Sequence, residues 1–364
     1  MTRKPQHVVI AGAGIIGLAC ALELAETGFT VTVVERGLAM QEASWAAAGM
    51  LAVDDPENPA ALLPLSRLSR ALYPEFLGRL SALSGVAVPL RTQRTRQKAH
   101  SGGGEFFLLN EVSLDPRDLC RALPPAVIAA GVQLREQCAT VTVTDGRDGT
   151  DGLRVELADG SALNADAFVL ACGAWSGQVR LPGAAAAMPI APRKGQMVEV
   201  TMEVTGDDSR LDTVIRTPAL YLVPRGDGRI VVGATVEDAG FDREVDAAAG
   251  DRLIQAAAEL WPPILRGRVT ARWTGLRPAV MRGVGENGLN GMDSLPVIGR
   301  VTPRVYAATG HFRNGILLAP GTARLIGECL RGEGASVPLE PFAASRFFPL
   351  ELSASDEILI QTGV

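Results

Sequence analysis

His7–Glu35 reads HVVIAGAGIIGLACALELAETGFTVTVVE, and the order of residue types in it decides the fold. A β-branched strand, His7–Ala11, runs into Gly12, Gly14 and Gly17. An alanine- and leucine-rich helix follows over Ile15–Thr27 and is stopped by Gly28, and a second β-branched strand fills Thr30–Glu35. The hydrophobic period changes from two to 3.6 and back, the grammar of a βαβ unit. In GAGIIG the first glycine permits a tight turn, the second lets a pyrophosphate approach the backbone, and the third lets helix and strand pack closely. Phosphate oxygens meet the free N–H groups and positive end of the helix. Glu35, closing the second strand, suits the hydroxyls of an adenosine ribose, and its charge disfavours a 2′-phosphate. A lone GxGxxG is equally a glycine-rich structural turn. Here strand, helix and terminal acid all fall where a dinucleotide needs them.

With 364 residues, the chain predicts two closely packed lobes better than one small core. Hydrophobic residues at 47% and charged residues at 21% suit an α/β protein and exclude a disordered one. A net charge of −5 provides no field to recruit nucleic acid or anionic lipid, so a small-molecule substrate is expected. The five cysteines, Cys20, Cys120, Cys138, Cys172 and Cys329, form no CxxC pair and join no histidine cluster, so neither a metal site nor a disulfide framework is expected. They read as buried thiols of a cytoplasmic protein. Arg3 and Lys4 before the apolar run Val8–Leu22 imitate an export signal, but three spaced glycines interrupt the run and Glu23 closes it. Gly17 likewise argues against a lipoprotein site at Cys20. Elsewhere no uninterrupted apolar stretch approaches the ~18 residues of a membrane span.

Downstream, SWAAAGML (Ser44–Leu51) precedes a helix expected over Ala60–Leu83, and the basic run Arg91–His100 reads as a solvated loop or helix edge. SLDPRDLCRAL from Ser113 predicts a capped helix. Ala139–Val143, Leu153–Leu157 and Ala167–Ala171 predict strands, and Met197–Ala234 predicts a separate antiparallel sheet. A helix over Ala247–Leu260 ends before Trp261-Pro262-Pro263. The last quarter returns to α/β grammar, with strand Val305–Ala308, the turn ATGHFRNGI and helix Ile316–Leu330. The expected fold is α/β, a Rossmann-type nucleotide domain (1–90, 113–185 and 295–345) interleaved with an α+β substrate domain (91–112 and 186–294) that carries the antiparallel sheet. The returning glycine turn favours FAD over NAD. FAD is long, and its isoalloxazine must be clamped far from the adenine. The positive helix end near Gly315-Ile316 suits the flavin N1–C2=O edge, where charge accumulates on reduction.

These segments resemble the D-amino-acid oxidase-like superfamily of FAD enzymes and, within it, the glycine oxidases of thiamine biosynthesis. The matching stretches are VVIAGAGIIGLACALELAETG, SWAAAGML, ACGAWSG, PRKGQM, YLVPRGDGRIVVGAT, WTGLRP, PVIGR and GHFRNGILLAPGTA, distributed over nearly the whole chain. The resemblance implies non-covalent FAD against Gly12, Gly14, Ile16, Gly17, Glu35, Arg36, Ser44, Ala47, Gly49, Met50, Cys172, Gly173, His311, Arg313, Asn314, Gly315 and Ile316. It makes Tyr221, Arg277 and Arg313 the substrate residues. Guanidinium groups grip an amino-acid carboxylate bidentately, and a tyrosine adds a phenolic donor. Structural alternatives are an ion pair for each arginine and strand packing for Tyr221. The implied chemistry is hydride transfer from substrate Cα to flavin N5, reoxidation by O2 to H2O2, and no general base, His311 packing beside the flavin turn. No cysteine follows Arg277-Pro278, where related sarcosine oxidases attach flavin. The resemblance further implies a homotetramer.

Three departures bear on the substrate. Between Arg96 and Phe106 roughly thirty residues of the family's substrate lobe are missing, a loss large against ordinary loop variation. Arg282–Ser294 is longer than usual, and Ala219 and Val236 stand where larger residues are common. Two other readings compete with an oxidase: a flavin amino-acid dehydrogenase passing electrons to a quinone or carrier, and a non-catalytic FAD-binding partner protein.

Overall fold

The computed structural model describes residues 7–98, 105–146, 152–183, 187–203, 210–282 and 291–347. The β-branched runs pair as parallel strands. Thr30–Val34 and Ala167–Leu170 flank His7–Ala11, Gln133–Arg135 extends one side, and Val305–Thr309 extends the other. Val297–Arg300 closes that second edge antiparallel, giving a six-stranded sheet built from three distant parts of the chain. His7–Ala11 lies where the connections turn in opposite directions, so its carboxyl end opens on the crevice where such sheets bind ligands.

The helix after it, Ile15–Glu26, is buried from Ile15 to Leu24 and packs on the C-terminal helix Gly315–Arg331 and on Pro116–Ala129. A helix that is apolar all round belongs in a core, which accounts for the signal-like run in the sequence. Its last turn ends one residue before the expected Thr27, and Gly28 (φ +89) reverses the chain. The capped helix after Ser113 is Pro116–Ala129, with Asp115 accepting from the Arg117 N–H at 3.1 Å.

Gly315–Arg331 contains Pro320, which has no N–H to give the Ile316 carbonyl and displaces its own turn. Two side chains of the neighbouring helix Leu63–Ser84 repair the gap. The buried Tyr73 hydroxyl donates to Ile316 O, and Ser69 Oγ donates to Leu317 O (2.6 Å) while accepting from Gly321 N (2.9 Å). Gly321 is what lets the helices meet, since a Cβ there would lie 2.9 Å from Leu65 and Ser69.

An eight-stranded sheet forms the second layer, in the order Met292–Asp293, Arg268–Met281, Ile190–Thr201, Arg229–Gly233, Tyr221–Pro224, Val214–Arg216, Thr95–Lys98, Phe106–Leu109. Within the predicted sheet region, the strands at 221–224 and 229–233 stand where expected, and helix Ala247–Leu260 covers one face. The described part of the basic run is mostly strand, not a loop or helix edge. Leu90–Thr92 and Thr95–Lys98 are strands, with Thr95 and Gln97 buried and Arg94 and Arg96 outward. Alternation with period two was present there, and the charge of the outer row concealed it. Parts of Arg96–Phe106 and of Arg282–Ser294, including the glycine-rich link, lie outside the described residues.

Candidate functional site

One continuous cleft starts at the glycine turn and runs between the two large sheets. Gly12, Gly14, Ile16, Glu35, Arg36, Ser44, Ala47, Gly49, Met50, Cys172 and Gly173 line it, as do Tyr221, Arg277, His311, Arg313, Asn314, Gly315 and Ile316. Gly17 sits behind the wall, where a Cβ would fall 1.9 Å from Gly12 O, so its part is the close packing of turn and helix. Gly12 (φ +104) has its missing side chain aimed at Ala171 O, 2.3 Å from an added Cβ. Ser44 Oγ accepts from Ile15 N at 2.9 Å and so orders the first turn of the helix. Glu35 is bonded to protein rather than standing free: Oε2 accepts from Ala13 N (2.7 Å) and Oε1 from Gly37 N (2.8 Å). Its carboxylate therefore shapes the glycine turn while lining the cleft. Arg36 pairs with Glu42 at 2.8 Å and lies over the Trp175 ring.

Ala46–Met50 forms the wall of small residues in mid-cleft, and its backbone is pinned from outside. Trp273 Nε1 donates to Ala46 O (3.0 Å), Arg225 Nη1 to Ala48 O (2.8 Å), and Leu114 N to Gly49 O (3.0 Å). Arg225 is buried, and burial pulls its guanidinium down to about 10, with Asp115 opposing the shift. The sequence reading assigned no role to Trp273 or Arg225, although both lie in quoted segments. A buried arginine bonded to carbonyls is recognisable only once its neighbours are known.

The far end of the cleft is built by three separate elements. Arg277 stands on strand Arg268–Met281, Tyr221 begins strand Tyr221–Pro224, and Arg313 lies in the turn before the C-terminal helix. Phe312 N donates to Pro278 O at 2.9 Å, which fastens that turn beside Arg277. Phe312 takes a left-handed φ of +46, and Gly310 (φ +76) leaves the room that Val280 fills. Arg277 Nη1 donates to Thr235 O (3.0 Å), and the guanidinium stands close enough to the Tyr221 hydroxyl for the two to interact. Burial draws Arg277 below the ordinary arginine value, with Tyr221 opposing and Arg313 adding repulsion. Burial raises the Tyr221 phenol, and Arg277 and Arg225 pull it back. The raised phenol keeps its proton at neutral pH, so Tyr221 presents a donor beside the guanidinium.

Two strand glycines to which the sequence assigned no role, Gly195 inside its strand and Gly233 at the end of its own, make this corner possible. A Cβ on Gly195 would lie 2.2 Å from Arg277 Nη1, and one on Gly233 would lie 2.5 Å from the Tyr221 hydroxyl. Glycine inside a strand signals close approach of another group, and that was the available clue in PRKGQM and VVGAT. Arg313, its side chain 34% exposed, is 3.5 Å from Asp55, so the ion pair given as its structural alternative is present. Asn314 Nδ2 donates to Asn58 Oδ1 (2.9 Å), so one edge of that residue is occupied by protein. His311 is buried, its Nε2 3.0 Å from Thr322 Oγ1, and burial alone lowers its pKa to about 3. Burial also pushes the Cys172 thiol up to about 12, Glu35 adding to the shift. A neutral imidazole and a protonated thiol are packing groups, not bases or nucleophiles.

FAD fits these residues. Its phosphates suit the glycine backbone and helix end, and its ring system the groove of alanine and glycine. The N-terminus of Gly315–Arg331, which carries no acidic residue in its first turn and no side-chain cap, closes the other end. Among the described residues no group of His, Cys, Asp and Glu is arranged to hold a metal, and no helix is long and apolar enough to cross a membrane.

Comparison with known proteins agrees with the cleft. The family model described as FAD dependent oxidoreductase (DAO) matches residues 7–102 and 79–329. The glycine oxidase of Pseudomonas aeruginosa is 30% identical, with 93% of this chain and 98% of that protein covered. The bifunctional protein ThiO/ThiG of Trichormus variabilis is 32% identical over 95% of this chain, which spans only 55% of that relative's length. The crystal structure of glycine oxidase from Geobacillus kaustophilus superposes with a TM-score of 0.81 at 27% identity, covering 95% of this chain and 99% of that one.

Proposed function

Because the chain belongs to the DAO family of FAD dependent oxidoreductases, we propose that it oxidises glycine or another small amine or D-amino acid. The observation that carries this reading is the meeting of Tyr221, Arg277 and Arg313 at the end of a cleft that begins at the glycine turn. Bound there, FAD supplies the hydride acceptor at N5 and the route for electrons to O2. The two guanidinium groups hold the substrate carboxylate, the Tyr221 hydroxyl donates to it, and together they fix Cα for transfer. His311, neutral and held by Thr322, takes no proton from the amine, so the substrate amine loses its proton to solvent before the hydride leaves. Ala219 and Val236 line the cleft where larger residues are common in the family, so a substituent larger than that of glycine is part of the proposal. The thiamine role implied by the resemblance to glycine oxidases, a cytoplasmic location, a homotetramer and the two-domain division belong to the same proposal.

Anaerobic titration of the holoenzyme with glycine, sarcosine, D-alanine and D-proline, following flavin absorbance, tests the substrate class. H2O2 release against dye reduction separates an oxidase from a dehydrogenase. Arg313→Ala should need at least tenfold more of the best substrate for half-bleaching. Bleaching of this variant as readily as the wild type removes the carboxylate anchor from the proposal.

A further inference from the structure

Arg313 belongs to a chain of charges that reaches well behind the cleft. The turn 54–58 carries Asp55, whose Oδ1 accepts from Glu57 N at 3.0 Å, which fixes the carboxylate. Its Oδ2 lies 3.5 Å from Arg313 Nη2 and 3.8 Å from Arg216 Nε. Arg216 is buried on the strand that precedes Tyr221. Its Nε donates to the buried Gln97, and its Nη1 is 2.9 Å from Glu111 Oε2. Glu111 Oε1 in turn accepts from Asp54 N at 3.0 Å, and Asn58 holds Asn314. The turn 54–58 is thus clamped on both sides, by Arg216 and Glu111 behind and by Arg313 and Asn314 in front. Two carboxylates, Asp55 and Glu111, face two guanidinium groups, Arg216 and Arg313.

We propose that Asp55 is a positioning residue for the substrate carboxylate: braced by Arg216, it holds Arg313 by Nη2 and leaves the other donors of that guanidinium to the substrate. An arginine one third exposed samples many rotamers, and a fixed carboxylate on one edge of its planar fork removes most of them. This inference rests on Arg313 as a carboxylate anchor. It also explains why the adjacent strand residue is Arg216: without a buried cation there, Asp55 and Glu111 would repel each other and swing the turn away.

The test uses holoenzyme of the wild type, Asp55→Asn, Asp55→Glu and Arg313→Ala, titrated with sodium acetate, a carboxylate without an amine, while flavin absorbance is followed. In Asp55→Asn the acetate Kd and the KM of the amine substrate should both rise about tenfold, with kcat within about twofold and FAD affinity unchanged. Asp55→Glu, which keeps the charge and moves it by one methylene, should lose severalfold and serves as the reading if the amide variant does not fold. Unchanged acetate affinity in the Asp55 variant that folds, while Arg313→Ala is weakened, overturns the positioning role alone. Unchanged affinity in Arg313→Ala overturns the anchor and the proposal with it.

Discussion

Gly195→Ala isolates the geometry of the substrate corner. The added Cβ would stand 2.2 Å from Nη1, 2.4 Å from Nη2 and 2.5 Å from Cζ of Arg277, where ordinary contact needs about 3.5 Å. The guanidinium must therefore retreat by roughly 1 Å, which breaks its 3.0 Å bond to Thr235 O and shifts it relative to the Tyr221 hydroxyl. Gly195 has no left-handed φ, and the displaced atoms end a flexible side chain, so stability should change by less than about 1 kcal/mol. A charge-assisted contact to the substrate carboxylate is worth ~1.5–3 kcal/mol, so kcat/KM should fall roughly 10- to 150-fold. The assay is steady-state oxidation across substrate concentration, with thermal unfolding and FAD affinity measured on the same preparation. In a double-mutant cycle with Arg277→Lys the two losses should be strongly non-additive, because both remove the same contact. Wild-type kcat/KM in Gly195→Ala would refute the placement of Arg277 as the carboxylate clamp.

Two further predictions address the supporting structure. His311 titrates near 3 in the folded protein against about 6.5 when free. Below pH 6.5 the unfolded chain alone binds that proton, so this histidine makes stability fall by about 1.4 kcal/mol per unit as pH drops from about 6.5 toward 3, and contributes no slope above it. Urea unfolding at pH 5 and pH 7 should show a pH dependence smaller by about 2 kcal/mol in His311→Asn than in wild type; an equal dependence in both would contradict burial of the neutral ring. Tyr73→Phe leaves the Ile316 carbonyl without its donor in a helix that Pro320 already interrupts, and should cost about 1–3 kcal/mol in apoprotein unfolding. A cost below 0.5 kcal/mol, of order one tenth of a domain's stability, would show that the bond is not needed.

Arg277, Tyr221 and Arg313 were named from quoted segments, yet nothing in those segments told their distances. The strand Thr95–Lys98 was missed because its outward arginines read as a solvated edge, although the inward Thr95 and Gln97 kept the period. Asp55 was missed for a different reason. It lies in DDPEN, between SWAAAGML and the expected helix, where no element or role was assigned, and only the packing of Arg216 beside it places that acid inside.

By itself, the sequence determined the βαβ unit and its phosphate turn, because strand, glycine and helix signals there are local and within one short segment. It also determined that a second turn returns late in the chain to the same crevice. Tertiary structure decided everything that depends on distance between strands: that Glu35 bonds the glycine turn, that Gly195 and Gly233 vacate space for Arg277 and Tyr221, and that Arg313 leans on Asp55. Those contacts join residues far apart in the chain, and side-chain chemistry read along a sequence carries no information about which distant carbonyl or carboxylate will lie within reach.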